Sequence, residues 1–400
     1  MTQALSGLRV LDLSNVLAGP LCAYQLALLG AEVIKVEVPR AGDLARQLGA
    51  DPALNARHMG ASFLAQNSGK KSITVNLKSD AGKEVLRRLV RSADVLVENF
   101  RPGVMERLGL GYLDLRDLNA SLVYCAIYGF GQSGPMKDAP AYDQIIQGLS
   151  GMMSVTGSDD TGPMRAGYPV ADTVGGITAA FAIAAALVRR GRTGEGSLID
   201  VSMLDSAIVS LGWVVSNYLI AGILPRAIGN ENFTAAPSGT FKTGRGLLNI
   251  AANKQEQFEA LARALGREDL VADARFAERE GRKCNRAALT CELEAALAHK
   301  SAAEWEAVLN RLDVPAGRVL SVPEALEVAQ IKQRELLQTF ANAPGVERDI
   351  AVTRSGFKMS GGDPAASAPP PRLGEHTAEI LHAIGYTSAE IGRLRQAGAV

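Results

Sequence analysis

The sequence predicts an α/β protein whose larger part is a doubly wound domain with a parallel sheet. Three observations predict it. Residues 7–38 read as strand, helix, strand: Gly7-Leu-Arg-Val-Leu-Asp-Leu, a helix opening at Pro20, and Glu32 to Val38, EVIKVEV. Two later apolar runs, Asp94 to Asn99 and Leu122 to Ile127, end in loops rich in Asn, Gly and Pro, as do strands at the ligand-binding edge of an α/β sheet. The chain has 400 residues, well beyond one typical domain of ~100–200, so a second domain is expected.

The first strand is followed by the loop Ser14 to Gly19, and Pro20 is tolerated in the first turn of the helix it opens. Gly30 ends that helix, and Glu32 to Val38 completes a βαβ unit. The loop lacks GxGxxG but sets backbone N–H groups at a helix N-terminus, where phosphate binds. Asn67 to Leu77, NSGKKSITVNL, is a basic turn running into a strand, so Lys70, Lys71 and Lys78 are candidates either for phosphate contacts or for a solvated edge. Asp80 to Arg91 is a helix with Asp80 as its N-cap. After the strand Leu122 to Ile127, Gly129-Phe-Gly131-Gln-Ser-Gly134 matches the dinucleotide pattern letter for letter, but Pro135 and Pro140 stop a helix from following at once. The pyrophosphate seat is therefore missing and the dinucleotide reading is set aside.

Residues 141–176 hold four carboxylates: Asp143, Asp159, Asp160 and Asp172. Asp143 opens a helix reaching Met153, and Asp172 opens an apolar helix reaching Arg190, so N-capping explains both. Asp159 and Asp160 lie in the loop Thr156 to Pro169, where acids commonly form turns. Gly191 to Gly196 is a turn and Ser197 to Ser202 a strand. Beyond Pro225 the pattern changes to a polar, glycine-containing stretch, Asn230 to Gly246, and amphipathic helices at Gln255 to Leu265, Ala287 to Ala298 and Ala303 to Arg311. This divides the chain into a large domain over 1–220, completed by 323–400, and a small domain over 221–322. The proline run Ala366 to Arg372 is expected to lie extended across a surface.

With 42 basic and 42 acidic residues the net charge is zero, so no overall field draws the chain to nucleic acid or an anionic membrane. Cys22, Cys125, Cys284 and Cys291 form no CxxC pair, which suggests reduced thiols in the cytoplasm. The four histidines have no ligand spacing, and no metal is expected. The N-terminus lacks the basic and apolar regions of a signal peptide. Gly175 to Val188 is shorter than the ~20 residues a spanning helix needs. Ser206 to Leu224 is long enough but carries Ser210, Ser216 and Asn217, so both are expected to be buried core helices.

At this point the residues carry a family resemblance. The stretches LSGLRVLDLSNVLAGP, GAEVIKVE, NSGKKSI, DVLVENFRPG, GFGQSGP, PAYDQIIQGLSGMMSVTG and LGEHT, in this order, resemble a class III (CaiB/BaiF-type) coenzyme A transferase along essentially the whole chain. The resemblance implies a Rossmann-like large domain built from both termini, a smaller inserted α+β domain, and an interlocked homodimer. It implies an acyl-CoA and a free carboxylic acid as substrates, with CoA thioester as substrate and no tightly bound cofactor. By position, the family's covalent aspartate falls on Asp160, with Asp159 the adjacent alternative. Its coenzyme A contacts fall on Leu17 and Ala18, on Val75 to Lys78, on Asn99, Phe100 and Arg101, on Arg107, and on Tyr128, Gly129 and Gly131. Val38 and Tyr128 stand where some members have a basic residue, and Asn230 to Gly239 stands in place of a glycine-rich loop.

The chemistry so implied is covalent. A carboxylate attacks the thioester carbonyl, and the exchange proceeds through acyl-aspartyl anhydride and aspartyl-CoA thioester, dividing one hard step into several easier ones. Glycine N–H groups beside the loop are positioned to stabilise an oxyanion, worth ~3–4 kcal/mol per donor. Two other readings remain. Racemases of the same resemblance use a histidine thirty residues before the acid equivalent to Asp172. Here that residue is Tyr142, a phenol of pKa ~10 and a poor base near neutrality. A coenzyme A-binding protein without catalysis is the third. Arg165 and Lys137 are candidates for the distal carboxylate of a dicarboxylic substrate, which points to succinyl-CoA as donor.

Overall fold

The computed structural model of the chain describes residues 3–400. Its centre is a six-stranded sheet: β1 (Arg9–Asp12), β2 (Glu32–Glu37), β3 (Lys70–Thr74), β4 (Val95–Glu98), β5 (Val123–Tyr128) and β6 (Ser197–Ser202). All neighbours are parallel and the order is β3-β2-β1-β4-β5-β6. The winding reverses between β1 and β4, and the loops leaving those two strands diverge to open a crevice.

The strands are apolar on both faces because helices cover both. Val10, Val33, Val95, Val123 and Cys125 belong to one core. Their chain neighbours Leu11, Ile34, Leu96, Tyr124 and Ala126 belong to the other. Helices α1 (Ala18–Leu28), α2 (Asp80–Val90), α3 (Asp143–Leu149), α4 (Val170–Thr193) and α5 (Met203–Ser210) contribute to the cores that cover the sheet, and α6 (Trp213–Ala221) follows α5. Residues of α1 and α4 join the first core, and residues of α2 join the second. The final helices Thr377–Ala383 and Ser388–Gln396 also pack on the second, through Ile380, Leu381 and Ile391.

Several local expectations change. The N-cap of α2 is Ser79, whose hydroxyl accepts from the Gly82 amide, while Asp80 is a first-turn acid. Lys70 is buried and donates to Asp12 over 2.8 Å, so it is no phosphate ligand. Lys71 pairs with Glu32 and Glu379. The helix from Asp143 stops at Leu149, and α4 starts two residues before Asp172 and runs to Thr193, where Gly194 ends it with φ +74.

The expectation of buried core helices fails. The run to Leu224 breaks into α5 and α6, which meet at 78°, and α6 buries none of its residues. Phe181, Val209, Trp213, Leu219 and Ile220 are each more than 70% exposed on this chain. By length and composition alone α4 would reach across a membrane. Its Gly175, Gly176, Ala179 and Ile183 are nonetheless buried.

The chain forms two compact units. One runs to Met152, resumes over Arg165–Ile223 and closes with Arg334–Val400. The other comprises Met153–Met164 and Leu224–Gln333, against sequence boundaries of 221 and 322 without the earlier piece. It carries an antiparallel sheet, β7 (Ser238–Lys242), β8 (Leu247–Ala251) and β9 (Ala316–Arg318). Helices Gln255–Ala264, Arg286–Leu297 and Ala302–Asn310 lie within one residue of their sequence bounds and pack around Phe241, Leu248, Phe258, Leu293 and Trp305.

Candidate active site

A cleft of about 390 Å³ lies at the carboxyl ends of the strands and is lined wholly by the first unit. Four segments build it: the loop after β1, the loop after β4, the paired starts of α3 and α4, and the end of β5 with the stretch that leads from it to α3.

The loop after β1 is held from beneath. Lys35 donates to the Ser14 carbonyl over 2.8 Å. The Val16 amide donates to Asp43 over 2.9 Å. Asn99 both accepts from the Asn15 amide (2.8 Å) and donates to the Asn15 carbonyl (2.9 Å), so one side-chain amide ties the two diverging loops together. These bonds fix Val16 at φ +68, a left-handed conformation that costs ~1–2 kcal/mol for a residue with a Cβ. The supporting groups form a buried ion network of Asp12, Lys35, Lys70, Asp43, Glu37 and Arg46. Burial opposes the charge of Asp12, but Lys35 and Lys70 overcome it and hold the carboxyl well below the usual range. Burial brings Lys70 down to about 8.

The loop after β4 is anchored by Glu98, which is fully buried and accepts from the Tyr128 hydroxyl (2.6 Å) and the Phe100 amide (2.8 Å). Burial pushes its carboxyl up to about 7. Tyr128 is thereby fixed as part of the cleft wall.

The third segment holds two acids with different duties. Asp143 is buried and does not cap its own helix. One oxygen accepts from the amides of Ala171 (2.8 Å) and Asp172 (3.3 Å), the other from Gln147 (2.6 Å). It thus serves the first turn of α4, as a cap supplied from 28 residues away. Gln147 accepts from the Ala166 amide in turn. Asp172, in the first turn of α4, caps nothing: among the described residues its carboxylate has no hydrogen-bond donor, and burial, then the charge of Asp143, raises it to about 7. The positive end of the α4 dipole favours charge there. Gly176 lets this turn come close to α1, since a Cβ on it would sit 2.5 Å from the Ala18 carbonyl oxygen.

Of the sequence candidates, Leu17, Asn99, Phe100, Arg101, Tyr128 and Gly129 line this cleft together with Lys137, Tyr142 and Asp172. Ala18, Val75, Lys78, Arg107 and Gly131 do not. Ala18 is buried in the first turn of α1, and Val75 is buried in the core with its amide bonded to the Glu37 carbonyl. Lys78 and Arg107 are exposed, and Gly131 is a turn residue at φ +78. Asp159 and Asp160 sit exposed on the turn 158–162 of the second unit, which is closed by bonds between Ser158, Thr161 and Gly162. No helix follows Gly134 before Asp143. The sequence reading missed the partnership of Asp143 with the start of α4. The signal for it was the pair of glycines three and four residues after Asp172, which marks a helix start pressed against another backbone.

A reactive carboxylate at a helix N-terminus, between two amide-bearing loops at a sheet switch point, is suited to attack on a bound carbonyl while the loops hold a phosphate-bearing ligand. Comparison with known proteins gives the chain's relatives. The family model described as CoA-transferase family III matches residues 5–377. The mouse protein named succinyl-CoA:glutarate CoA-transferase is 37% identical over 401 residues, covering 99% of this chain and 90% of its own. The Acetobacter aceti protein named acetyl-CoA:oxalate CoA-transferase is 40% identical, covering 83% and 84%. Among solved structures, a CAIB/BAIF family protein from Brucella suis superposes with TM-score 0.84 at 35% identity, covering 96% of this chain and 100% of its own. Rv3272 of Mycobacterium tuberculosis gives TM-score 0.82 at 34% identity, covering 94% and 99%.

Proposed function

This chain belongs to CoA-transferase family III and is a CoA transferase, and from that premise we propose that Asp172, rather than Asp160, is the residue that carries the acyl group. The observation that supports this is the position of Asp172: it lines the cleft, has no hydrogen-bond donor to its carboxylate among the described residues, and is poised near neutrality at about 7. An ionised carboxylate without donors is a better nucleophile than one already satisfied.

The Asp172 carboxylate attacks the thioester carbonyl of the donor, and the C–S bond breaks to release coenzyme A thiolate and leave an acyl-aspartyl anhydride. The thiolate attacks the aspartyl carbonyl, expelling the donor acid and forming an aspartyl-CoA thioester. The acceptor carboxylate attacks that carbonyl, freeing thiolate again, and the thiolate takes the acceptor acyl group and restores Asp172. One thioester replaces another, so no ATP is consumed. Asn15 to Leu17 and Asn99 to Arg101 hold the coenzyme A, with Arg101 as the cation for its phosphates. No tightly bound cofactor takes part.

The substrate class is dicarboxylic. Relatives bear the names of succinyl-CoA, glutarate, oxalate and mesaconate transferases. Lys137 lines the same cleft as Asp172 and is the cation we assign to the distal carboxylate. Arg165 is exposed and outside the cleft lining, so we withdraw it from that role. Succinyl-CoA is the proposed donor. A racemase would need a second proton-transfer group at Tyr142, and a phenol is a poor base there.

We further propose an interlocked homodimer, because Phe181, Trp213 and Ile220 leave the faces of α4 and α6 exposed and apolar on a single chain, and a cytoplasmic location, on the reading of the four cysteines as reduced thiols. Faces of this kind mark association surfaces. Light scattering should find two chains per particle at every accessible dilution. The function itself is tested by incubating the protein with succinyl-CoA, trapping with hydroxylamine and mapping the modified residue by mass spectrometry. A label on Asp172 is expected; a label on Asp160 or Asp159 would overturn the assignment.

A further inference from the structure

We infer that Asp43, which lies outside the cleft, is a positioning residue for coenzyme A: it holds Val16 in a backbone conformation that shapes the cleft wall. The inference rests on the reading of this cleft as the coenzyme A site. It begins from an outlier. Seven non-glycine residues among those described have positive φ, and Val16 is the only β-branched one. Such a residue is disfavoured in the left-handed region and stays there only when its surroundings over-determine it. Val16 also lines the cleft beside Asn15 and Leu17, so the strain is located in the wall itself.

What holds the Val16 amide itself is a single buried carboxylate. One oxygen of Asp43 accepts from the Val16 amide and from the Ala45 amide, both over 2.9 Å. The other is 3.0 Å from the Lys35 ammonium, which itself donates to the Ser14 carbonyl. The Asp43 amide donates to Glu37 over 3.0 Å. Both side chains, Asp43 and Lys35, are essentially fully buried. Asp43 therefore joins the loop after β1 to the segment after β2, fixing the Val16 amide directly and the Ser14 carbonyl through Lys35. Nothing in the chemistry of thioester exchange calls for a carboxylate here. Its use is to make a strained loop the resting state, so that coenzyme A meets a preformed wall and does not have to order one on binding.

The test separates positioning from general stability by steady-state kinetics with succinyl-CoA and by calorimetric titration with free coenzyme A. Asp43→Ala should raise the KM for the acyl-CoA and the Kd for coenzyme A about tenfold, the size set by releasing one left-handed residue, with kcat within about twofold. Asp43→Asn keeps an oxygen that can accept from the Val16 amide and should stay within about threefold of the parent. Val16→Gly introduces the residue that adopts positive φ freely, so Asp43→Ala in that background should lose most of its effect relative to Val16→Gly alone. If Asp43→Ala does not fold, the same contrast is read with Asp43→Asn, whose smaller penalty must shrink further in the Val16→Gly background. A KM unchanged in Asp43→Ala, a loss confined to kcat, or equal penalties in both backgrounds would overturn the inference. An unmutated protein that neither exchanges nor binds coenzyme A would overturn the cleft assignment instead.

Discussion

Two acidic regions lie within twenty residues of each other and differ in every property that matters to a nucleophile. The turn 158–162 presents Asp159 and Asp160 to solvent, where a carboxylate is fully hydrated and its reactivity is that of any surface acid. The start of α4 presents Asp172 in a cleft, stripped of hydrogen bonds and raised to about 7, while Asp143 accepts the amides that would otherwise have satisfied it. Reachability is common and cheap to arrange. Partial desolvation at a fixed position requires a second acid to take over the structural duty of the first.

The largest effect should come from breaking that contrast at its active end. Asp172→Asn should lower exchange between succinyl-CoA and a dicarboxylic acid by more than ~10³-fold, since the covalent route disappears, while Asp160→Asn should remain within about twofold. The same Asp172→Asn change should stabilise the fold at pH 8 by roughly 2–4 kcal/mol, because it removes a carboxylate held about three units above its ordinary value. Paired activity assays and urea titrations measure both. An Asp172→Asn protein that was inactive but less stable at pH 8 would point to a structural acid and break the comparison.

Asp143 comes next. Asp143→Ala should leave the Ala171 and Asp172 amides and the Gln147 side chain without their acceptor, costing about 1–3 kcal/mol of stability. It should cost about 10²-fold in kcat through misplacement of the nucleophile. The effect on kcat must exceed any effect on the KM for acyl-CoA, since Asp143 is absent from the cleft lining.

These two acids also show what was legible in the sequence. The sheet was read strand by strand, because each strand is a short apolar run bounded by polar loops and the sheet is covered on both faces. Leu17, Asn99, Phe100, Arg101, Tyr128 and Gly129 were found because the ends of neighbouring strands converge at a switch point whatever the side chains are. The duties of Asp143 and Asp172 were not legible. Capping inferred from sequence is local, whereas the acid that serves α4 lies 28 residues upstream. Lys70 was misread for the same reason: its partner Asp12 is 58 residues away, and a lysine beside a glycine turn looks solvated until the parallel pairing of β2 with β3 and of β1 with β2 brings the two together. Val75 and Lys78 follow β3, on the far side of β2 from the crevice, so adjacency to a strand end was not enough.

A smaller effect sharpens the comparison through pH. With Asp172 near 7, kcat/KM for the acyl-CoA should rise about tenfold per pH unit below that value and level off above it, as ionisation of the nucleophile is completed. Asp143→Asn removes the second-largest cause of the shift, so the midpoint should move downward. A midpoint near 4 in the unmutated protein would mean that the Asp172 carboxylate is solvated during turnover.

The smallest effect concerns Glu98, which shares the raised range without being a nucleophile. Its folded value of about 7 lies above the ordinary 4.5, by burial, so the folded state holds its proton more tightly than the unfolded chain does. Stability from this group is fully present below pH ~4.5 and is lost as pH rises toward about 7, at most ~1.4 kcal/mol per pH unit. Asp172 contributes in the same direction over the same window. Urea unfolding between pH 5 and 7.5 should therefore show stability falling with pH, with the slope roughly halved by either Glu98→Gln or Asp172→Asn alone and largely removed by the two together. The two variants then separate in the assay. Asp172→Asn abolishes transfer, whereas Glu98→Gln retains an oxygen that can accept from the Tyr128 hydroxyl and changes the KM for acyl-CoA by no more than a few fold. Equal losses of kcat in both would mean that Glu98 acts on the reacting atoms, and that the raised acid at the start of α4 is not the single reactive carboxylate of the cleft.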